Sequence, residues 1–528
     1  MKDYRNLFRP SKTQSGIATL EMLIALTILV LSITAVILLV FGGQSVTADT
    51  QTNNEALYKA QELLERARAL SREDFNLVNP IPATNDDIYQ KGVDVETLPD
   101  FLTKRVTSNV TWTGDHNRQL SITLSTLLTS PSGYNNGLFC NSVLTNPGGW
   151  KNPIHYEHES TDLVDQASGN NSDGLGISDL AVLNQRIYIA ADAVANNNDN
   201  FYISSLPNDP IQWPAHQGYM GSVDTNQDGS GGLAAVVTAP IDNKIYAFVA
   251  NTSSVASKGQ LQIIDVTSPT PTGWNPAITR YTLPTVSTTK LGSSIFYSNG
   301  YIYLGLTATA NGGTEFNVID VGGGGLPASP TNPIRKGGYF VGNTVNSIFV
   351  RGDYAYIATP NTENMTIIDI SVPTDPQRVG GSPSLVGGNN GESVYAVGTN
   401  VYLGRTFGSN EFYILNATDL ANVSITGTQD VGTGSQTSVN GLAVRDYLAF
   451  FMTKAQFQVW NISSPGSITP WTSDNTTNSF LTFSDFISGN GNSITGSSLF
   501  CAGNNFYISI KTPQGQNKDV IWILTAGP

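Results

Sequence analysis

"VNSIFVRGDYAYIATPNTENMTIIDIS", residues 345–371, holds three short apolar runs separated by polar turns. The first run ends at a Gly-Asp turn, the second centres on Tyr356, and the third ends in Asp369. Apolar and polar residues alternate within each run, the period of a strand that buries one face. The same grammar returns at 176–204, 233–269, 292–321, 391–418, 439–465 and 494–524. Aligning the central runs superposes Tyr188, Tyr246, Tyr303, Tyr356, Tyr402, Ala449 and Tyr507, spaced 46 to 58 residues apart. A repeat of that length with three or four strands per copy predicts an all-β propeller of seven blades over 171–528. A tandem of β-sandwiches explains the shared strand-turn-strand pattern less well, and a β-helix needs shorter coils.

Composition agrees with a turn-rich β protein. The chain has 528 residues, 51 of them Gly, and only 13% are charged. The length calls for two or three domains. A formal net charge of −14 excludes the basic face that nucleic-acid binding needs. Four histidines leave little material for zinc sites or histidine catalysis. Two cysteines, Cys140 and Cys501, fit one disulfide outside the cytosol or two separate buried thiols.

The N-terminus reads differently. Lys2, Arg5, Arg9 and Lys12 precede an apolar run over 17–41. As a helix that run is about 37 Å long, enough to span a bilayer, with the basic leader held on the cytoplasmic side. A small residue, Gly16, lies before the run rather than after it, unlike a secretory signal. Glu21 is an acid inside the run, where hydrocarbon penalises charge and a carboxylate marks function. Past Gly42-Gly43, where a kink is expected, "EALYKAQELLERARALSRE" (55–73) keeps helical spacing of Ala56, Ala60, Leu63, Leu64 and Ala67. Glu55 and Lys59 form an i,i+4 pair there, and the helix is expected to end near Arg72. "LTKRVTSNVTWTGDHNRQLSITLSTLLTS" (102–130) reads as two strands joined at 114–117.

Ser15-Gly16-Ile17, followed by Ala18-Thr19-Leu20-Glu21, resembles the processing site of type IV prepilins and type II secretion pseudopilins. The resemblance implies that a prepilin peptidase cuts after Gly16 and methylates the amine of Ile17. The family usually has Phe at the first mature position, so Ile17 departs from its pattern. Glu21 would be the fifth mature residue, and its carboxylate would pair with the new amine of a neighbouring subunit during assembly. The hairpin at 102–130 resembles the sheet that ends small minor pilins. The expected organisation is therefore an α+β pilin module and an appended propeller. Its parts are a leader (1–16), an assembly helix (17–72), a small β head (73–130), a linker (131–170) and the propeller (171–528). "IIDIS", "IIDVTSP" and "WNISSP" resemble the LVIVD repeats of bacterial surface propellers, a loose motif that speaks for fold.

Few motifs carry chemistry. "VDTNQDGSGG" (223–232) sets Asp224, Asn226 and Asp228 at alternate positions with Gly229 next, the opening of a calcium loop. Its twelfth position is Ala235 rather than an acid, and the same residues suit a plain Asn/Asp/Gly turn. "HYEHES" (155–160) offers His155, Glu157, His158 and Glu159 as metal ligands, but reads more simply as solvated linker. "GGGGLP" (322–327) has neither Lys nor a following helix, so it is no phosphate loop. No nucleophile–base–acid set stands out, and no enzyme is expected. A ring must join its last blade to an early segment, and Cys140 and Cys501 lie in the segments expected to meet.

The expected function is that of a minor pilin or pseudopilin. Its partners would be other pilin subunits and the prepilin peptidase, at the cytoplasmic membrane, and a surface protein or glycan on the propeller. The alternatives are a secretion-pseudopilus tip component that gathers cargo, and a propeller enzyme acting on surface polysaccharide.

Overall fold

The structure is a computed structural model. It describes residues 15–73, 78, 80–97, 103–114, 117–129, 144, 146–159, 176–192, 199–206, 218–227, 231–242, 244–309, 313–322, 326–360, 362–385, 387, 390–432, 437–471, 480–487, 494–511 and 520–527. The chain divides into two compact units, Met1–Pro131 and Ser132–Pro528.

The first unit is built on α1 (Ser15–Glu73), which ends one residue past the expected stop. The helix continues through Gly42-Gly43, where a kink was expected, because both residues keep helical backbone. Its C-terminal half lies on an antiparallel sheet of four strands in sequential order. These are β1 (Ile81–Asp86), β2 (Tyr89–Thr97), β3 (Thr103–Gly114) and β4 (Arg118–Thr129). The expected hairpin is β3–β4, paired from Thr103↔Thr129 to Gly114↔Arg118. β1 and β2 were not anticipated: their Pro, Gly and acidic residues conceal the alternation. Ala56, Ala60, Leu63, Leu64 and Ala67 are buried with Tyr89, Val93, Val106, Val110 and Trp112. The small side chains at 56, 60 and 67 let the sheet approach the helix closely. The Glu55–Lys59 pair forms at 3.6 Å, and Lys59 also reaches Asp86 at 3.0 Å.

The second unit is β throughout its regular structure. Among its described residues are seven antiparallel sheets, labelled A (177–223), B (233–281), C (292–339), D (347–381), E (391–429), F (439–482) and G (495–525). Within A–E the four strands run in sequence order from first to last; F does the same over its first four strands and adds a fifth short strand (Phe480–Thr482) that pairs with its third. Tyr188, Tyr246, Tyr303, Tyr356, Tyr402, Ala449 and Tyr507 all fall on second strands. The first strands contact one another in the order A–B–C–D–E–F–G, and that of G returns to that of A.

Sheet G takes its fourth strand from far upstream. β5 (Ile154–Glu159) pairs antiparallel with Val520–Thr525, from Ile154↔Thr525 to Glu159↔Val520. This corrects the linker expected over 131–170: "HYEHE" is a strand whose partner lies some 365 residues away, so nothing local announces it. Trp150, just before β5, wedges between F and G with its ring 5.0 Å from Phe450 and 5.3 Å from Phe506. Gly149 and Gly527 are joined by a backbone hydrogen bond of 2.9 Å, and Trp471 Nε1 donates to the Pro147 carbonyl at 2.8 Å.

The first strands carry a β-bulge near their starts in A, B, C, E, F and G. A bulge inserts one residue and re-aims its side chain. Here the re-aimed or following side chain bonds to the next sheet. Ser293 and Ser294 Oγ donate to the Val345 carbonyl, each at 2.8 Å. In D, which has no bulge there, Asn346 Nδ2 just before the first strand donates to Gly391 O, and in E Ser393 Oγ donates to Val439 O, both at 2.8 Å. Asn440 Nδ2 reaches Gly496 O at 3.0 Å, and Ser497 Oγ reaches Ile177 O at 2.8 Å. Between A and its neighbours the linking group is Asp179, which accepts from Ser498 Oγ and, at 2.8 Å, from Val236 N–H. Gly305 and Gly404 make room for this seam, since a Cβ on either would collide with Ser294 or Ser393 Oγ.

Candidate functional site

The helix supplies the first candidate. Leu20–Val40 has a mean hydropathy of 3.0 and is exposed along its whole length, long and apolar enough to cross a membrane or act as a signal sequence. Its hydroxyls are satisfied internally: Thr27 donates to Leu23 O at 2.5 Å, Ser32 to Ile28 O at 2.6 Å and Thr34 to Val30 O at 2.7 Å. That back-bonding is how a helix keeps polar side chains in hydrocarbon. Glu21 is the only charged side chain in the span, and it is exposed. Gly16 and Ile17 lie in the first turn of α1.

A second candidate is the end of the β unit where each second strand turns into its third and each sheet hands over to the next. A buried polar residue stands immediately before the third strand in sheets A to E: Asn200, Gln260, Glu315, Asn364 and Glu411. Four of these cap the outgoing loop of their own sheet. Asn200 Oδ1 accepts from Thr225 N–H at 3.0 Å, and Gln260 Oε1 from Leu283 N–H at 3.1 Å. Glu315 Oε2 accepts from Val341 and Gly342 N–H at 2.8 and 3.1 Å, while its other oxygen holds buried Lys290 at 2.5 Å. Glu411 accepts from Val431 N–H at 3.1 Å and from the Thr437 hydroxyl at 3.1 Å. Buried carboxylates and amides of this kind persist only when hydrogen-bonded. They hold the loops of this end in fixed conformations, the condition for a preorganised binding face. Sequence reading missed them because each sits in a polar loop, distinguished only by its constant place before an apolar run.

The proposed calcium loop lies at this same end. Asp224 and Asn226 are described; Asp228 lies outside the described residues. Asp224 Oδ1 accepts from Asn226 N–H at 2.9 Å, an Asx turn. The Asn226 carboxamide is fully buried in a network of protein amides. It donates to Gly231 O at 2.7 Å and Asn251 Oδ1 at 3.1 Å, and accepts from Gln262 Nε2 at 2.9 Å. The Lys258 ammonium sits on the Asn226 carbonyl. So Asn226 faces amides and a lysine at this turn. Asp199, beside Asp224, is held by the Ser222 hydroxyl, which also meets Tyr219 Oη at 2.7 Å. Burial raises the Asp199 pKa, and the charge of Asp224 adds to that rise. Among the described residues no three His, Cys, Asp or Glu side chains converge.

The "HYEHES" residues are divided by β5. The His155 ring lies tilted against Trp522 with centroids 4.2 Å apart, and Glu157 accepts from Trp522 Nε1 at 3.2 Å. His158 falls on the opposite face by strand alternation, so the set does not gather round one point. Burial lowers the pKa of His155. Gly322, the first glycine of "GGGGLP", closes a turn on Asp320 Oδ1 at 3.0 Å. Cys501, on the first strand of sheet G, is disulfide-bonded; Cys140 lies outside the described residues.

Residues 342–381 match the LVIVD repeat family, a span that ends with sheet D. The chain matches no curated protein sequence. Solved structures similar to it include a putative 6-phosphogluconolactonase from Bacteroides uniformis, at 11% identity and a TM-score of 0.40, covering 71% of this chain and 92% of that one. The Pan2 WD40 domain of Neurospora crassa matches at 9% identity and a TM-score of 0.39, covering 66% of this chain and 89% of that one. Sqt1 of Saccharomyces cerevisiae matches at 8% identity and a TM-score of 0.40, over 74% of this chain and 100% of that one. With an LVIVD repeat and antiparallel sheets that are mostly four-stranded, the second unit has a propeller-like β fold.

Proposed function

We propose that this chain is a minor pilin or pseudopilin, anchored by α1 and carrying a seven-bladed β-propeller outward for adhesion or partner binding. The observation that carries the reading is Glu21: one carboxylate, five residues after Gly16, in an otherwise uncharged apolar span. A lone acid there opposes residence in lipid and favours a partner with an amine. Cleavage after Gly16 would create that amine on Ile17 of a neighbouring subunit. The helix would then join other pilin subunits after the prepilin peptidase had acted at the cytoplasmic membrane. In this reading sheets A–G are the blades, supported by the closed cycle of first-strand contacts. So large a head crowds a filament of identical subunits, which suits a tip or rare position. The capped loop end is the face offered to a surface protein or glycan.

N-terminal mass spectrometry of protein recovered from the cell surface tests this. An N-terminus at Ile17 is expected, with Gly16→Glu remaining uncleaved. Glu21→Val should insert in the membrane and fail to co-purify with filaments. An intact Met1 leader in assembled protein, or normal incorporation of Glu21→Val, refutes the reading.

A further inference from the structure

The bulges of the first strands fall at one register, held by Ser178, Ser293, Glu392, Asn440 and Ser497, with Ala234 in B. Asn346 takes the same place in D, just before its first strand. Every one of these residues is half-buried, whereas the residue before each is buried. The first strands contact one another in a closed cycle, so this register is a single ring of side chains around the space they enclose. It lies at the capped loop end, where each sheet hands over to the next. Ring donors are spent on the seam: Ser293 Oγ, Asn346 Nδ2, Asn440 Nδ2 and Ser497 Oγ each donate to the carbonyl just before the next ring residue. Glu392 breaks this pattern. An ionised carboxylate has nothing to donate, and Ser393 Oγ makes the bond to Val439 O instead. Among the described residues the Glu392 side chain has no hydrogen bond or ion pair. Burial raises its pKa, and the charge of Lys454 opposes that rise. Three residues further along their strands stand Phe296, Phe349, Tyr395 and Phe500, all half-buried. Phe296 and Phe349 lie 5.4 Å apart by ring centres, and Phe349 and Tyr395 4.5 Å, an aromatic layer beneath the ring.

We propose that this ring binds an amino sugar, with the ammonium on the Glu392 carboxylate. The proposal rests on the reading of the capped loop end as a binding face and names what that face takes. With its N–H and O–H groups turned to the seam, the ring offers acceptors: the Asn346 and Asn440 Oδ1 atoms, a lone pair of Ser293 Oγ, and the Glu392 carboxylate. A fitting ligand is therefore rich in donors and carries one positive charge. A half-buried carboxylate without a partner gains most from a cation. A lysine ammonium brings three N–H groups and leaves the other acceptors unmet, while an amino sugar adds hydroxyl donors around the same charge. The aromatic layer gives apolar contact to the sugar ring and favours a cation over an anion. Calcium takes about six to eight oxygens, commonly with several carboxylates, and this ring holds one.

Isothermal titration of the full-length protein in detergent micelles tests this with three probes: D-glucosamine, N-acetyl-D-glucosamine and Nα-acetyl-lysine amide. Glucosamine should saturate one site per chain. The acetylated sugar keeps the ring and loses the charge, and the lysine amide keeps the charge and lacks the ring; each should bind weaker by about tenfold or more. Glu392→Gln keeps the shape, so it should weaken glucosamine to the level of N-acetylglucosamine while the melting midpoint holds or rises. Five outcomes overturn the proposal. They are no saturation by about 10 mM glucosamine, equal binding of the two sugars, tighter binding of the lysine amide, displacement of glucosamine by calcium, and unchanged binding by folded Glu392→Gln. Where the variant fails to fold, the three-probe comparison on the wild type decides. Equal binding of the two sugars would remove the ammonium site and leave this end a binding face, and the N-terminus at Ile17 is measured independently of both.

Discussion

Replacing Asp179 by Asn tests the idea that the seam between sheets is an electrostatically strained joint. Asp179 bridges G, A and B through Ser498 and Val236, and burial pushes its carboxyl up to about 6. An unfolded aspartate titrates near 3.9, so ionised Asp179 costs the folded state about 3 kcal/mol at 1.36 kcal/mol per pH unit of displacement. The folded protein binds this proton more tightly than the unfolded chain does. Its contribution to stability therefore improves as pH falls from above 6 towards 4, opposite to a salt-bridged carboxylate. Asn keeps the shape: its Oδ1 can accept from Val236 N–H and its amide can donate to Ser498 Oγ. For a unit the size of Ser132–Pro528, an unfolding entropy of about 0.8 kcal/mol/K converts 3 kcal/mol into about 4 °C. Differential scanning calorimetry should show Asp179→Asn melting up to about 4 °C higher at pH 7.5, the gain vanishing near pH 4. A variant that melts lower at pH 7.5, or a gap independent of pH, refutes the reasoning.

Trp150→Ala should cost about 3–5 kcal/mol and lower the calorimetric midpoint, because the indole fills the joint between Phe450 and Phe506. Non-reducing peptide mapping should recover Cys140 linked to Cys501. Reduction of a bond closing so long a loop should remove up to about 6 kcal/mol by the loop-entropy model, while free thiol at both positions rules the link out. Calcium and chelator should leave the midpoint unchanged, because Lys258 sits on the Asn226 carbonyl and Gln262 on its side chain. A chelator-sensitive midpoint abolished by Asp224→Ala restores the calcium reading.

What could be read beforehand was whatever repeats or runs locally. The central aromatics mark second strands because each must pack against the neighbouring sheet, and that demand recurs in every copy. The helix was legible to about residue 72, one short of its end, because Ala56, Ala60, Leu63 and Leu64 keep one face apolar. β5 was not, since "HYEHE" alternates polar with polar and only Val520–Thr525 makes it a strand. The loop caps escaped for a related reason: Asn200, Gln260, Glu315 and Glu411 are chosen by backbone N–H groups some 20 to 30 residues away. Arg445 ends an inner strand as Arg351 does, yet only Arg445 is fully buried. Which of two equivalent arginines is buried is set by long-range packing, and repeat alignment is blind to it.

The borrowed strand of sheet G also sets a clock. β5 leaves the ribosome long before Val520–Thr525 exists, and at about 5–20 residues per second the wait is roughly 20–70 s. During that interval sheets A to F are made one after another, and even when all six are complete in sequence the ring they belong to has no last partner. Closure is thus the most non-local event in the chain, and non-local pairing is slow and exposes strand edges to wrong partners. A polar, histidine- and glutamate-bearing β5 is suited to that delay: it stays soluble while it waits, and becomes a strand only when the end of the chain arrives.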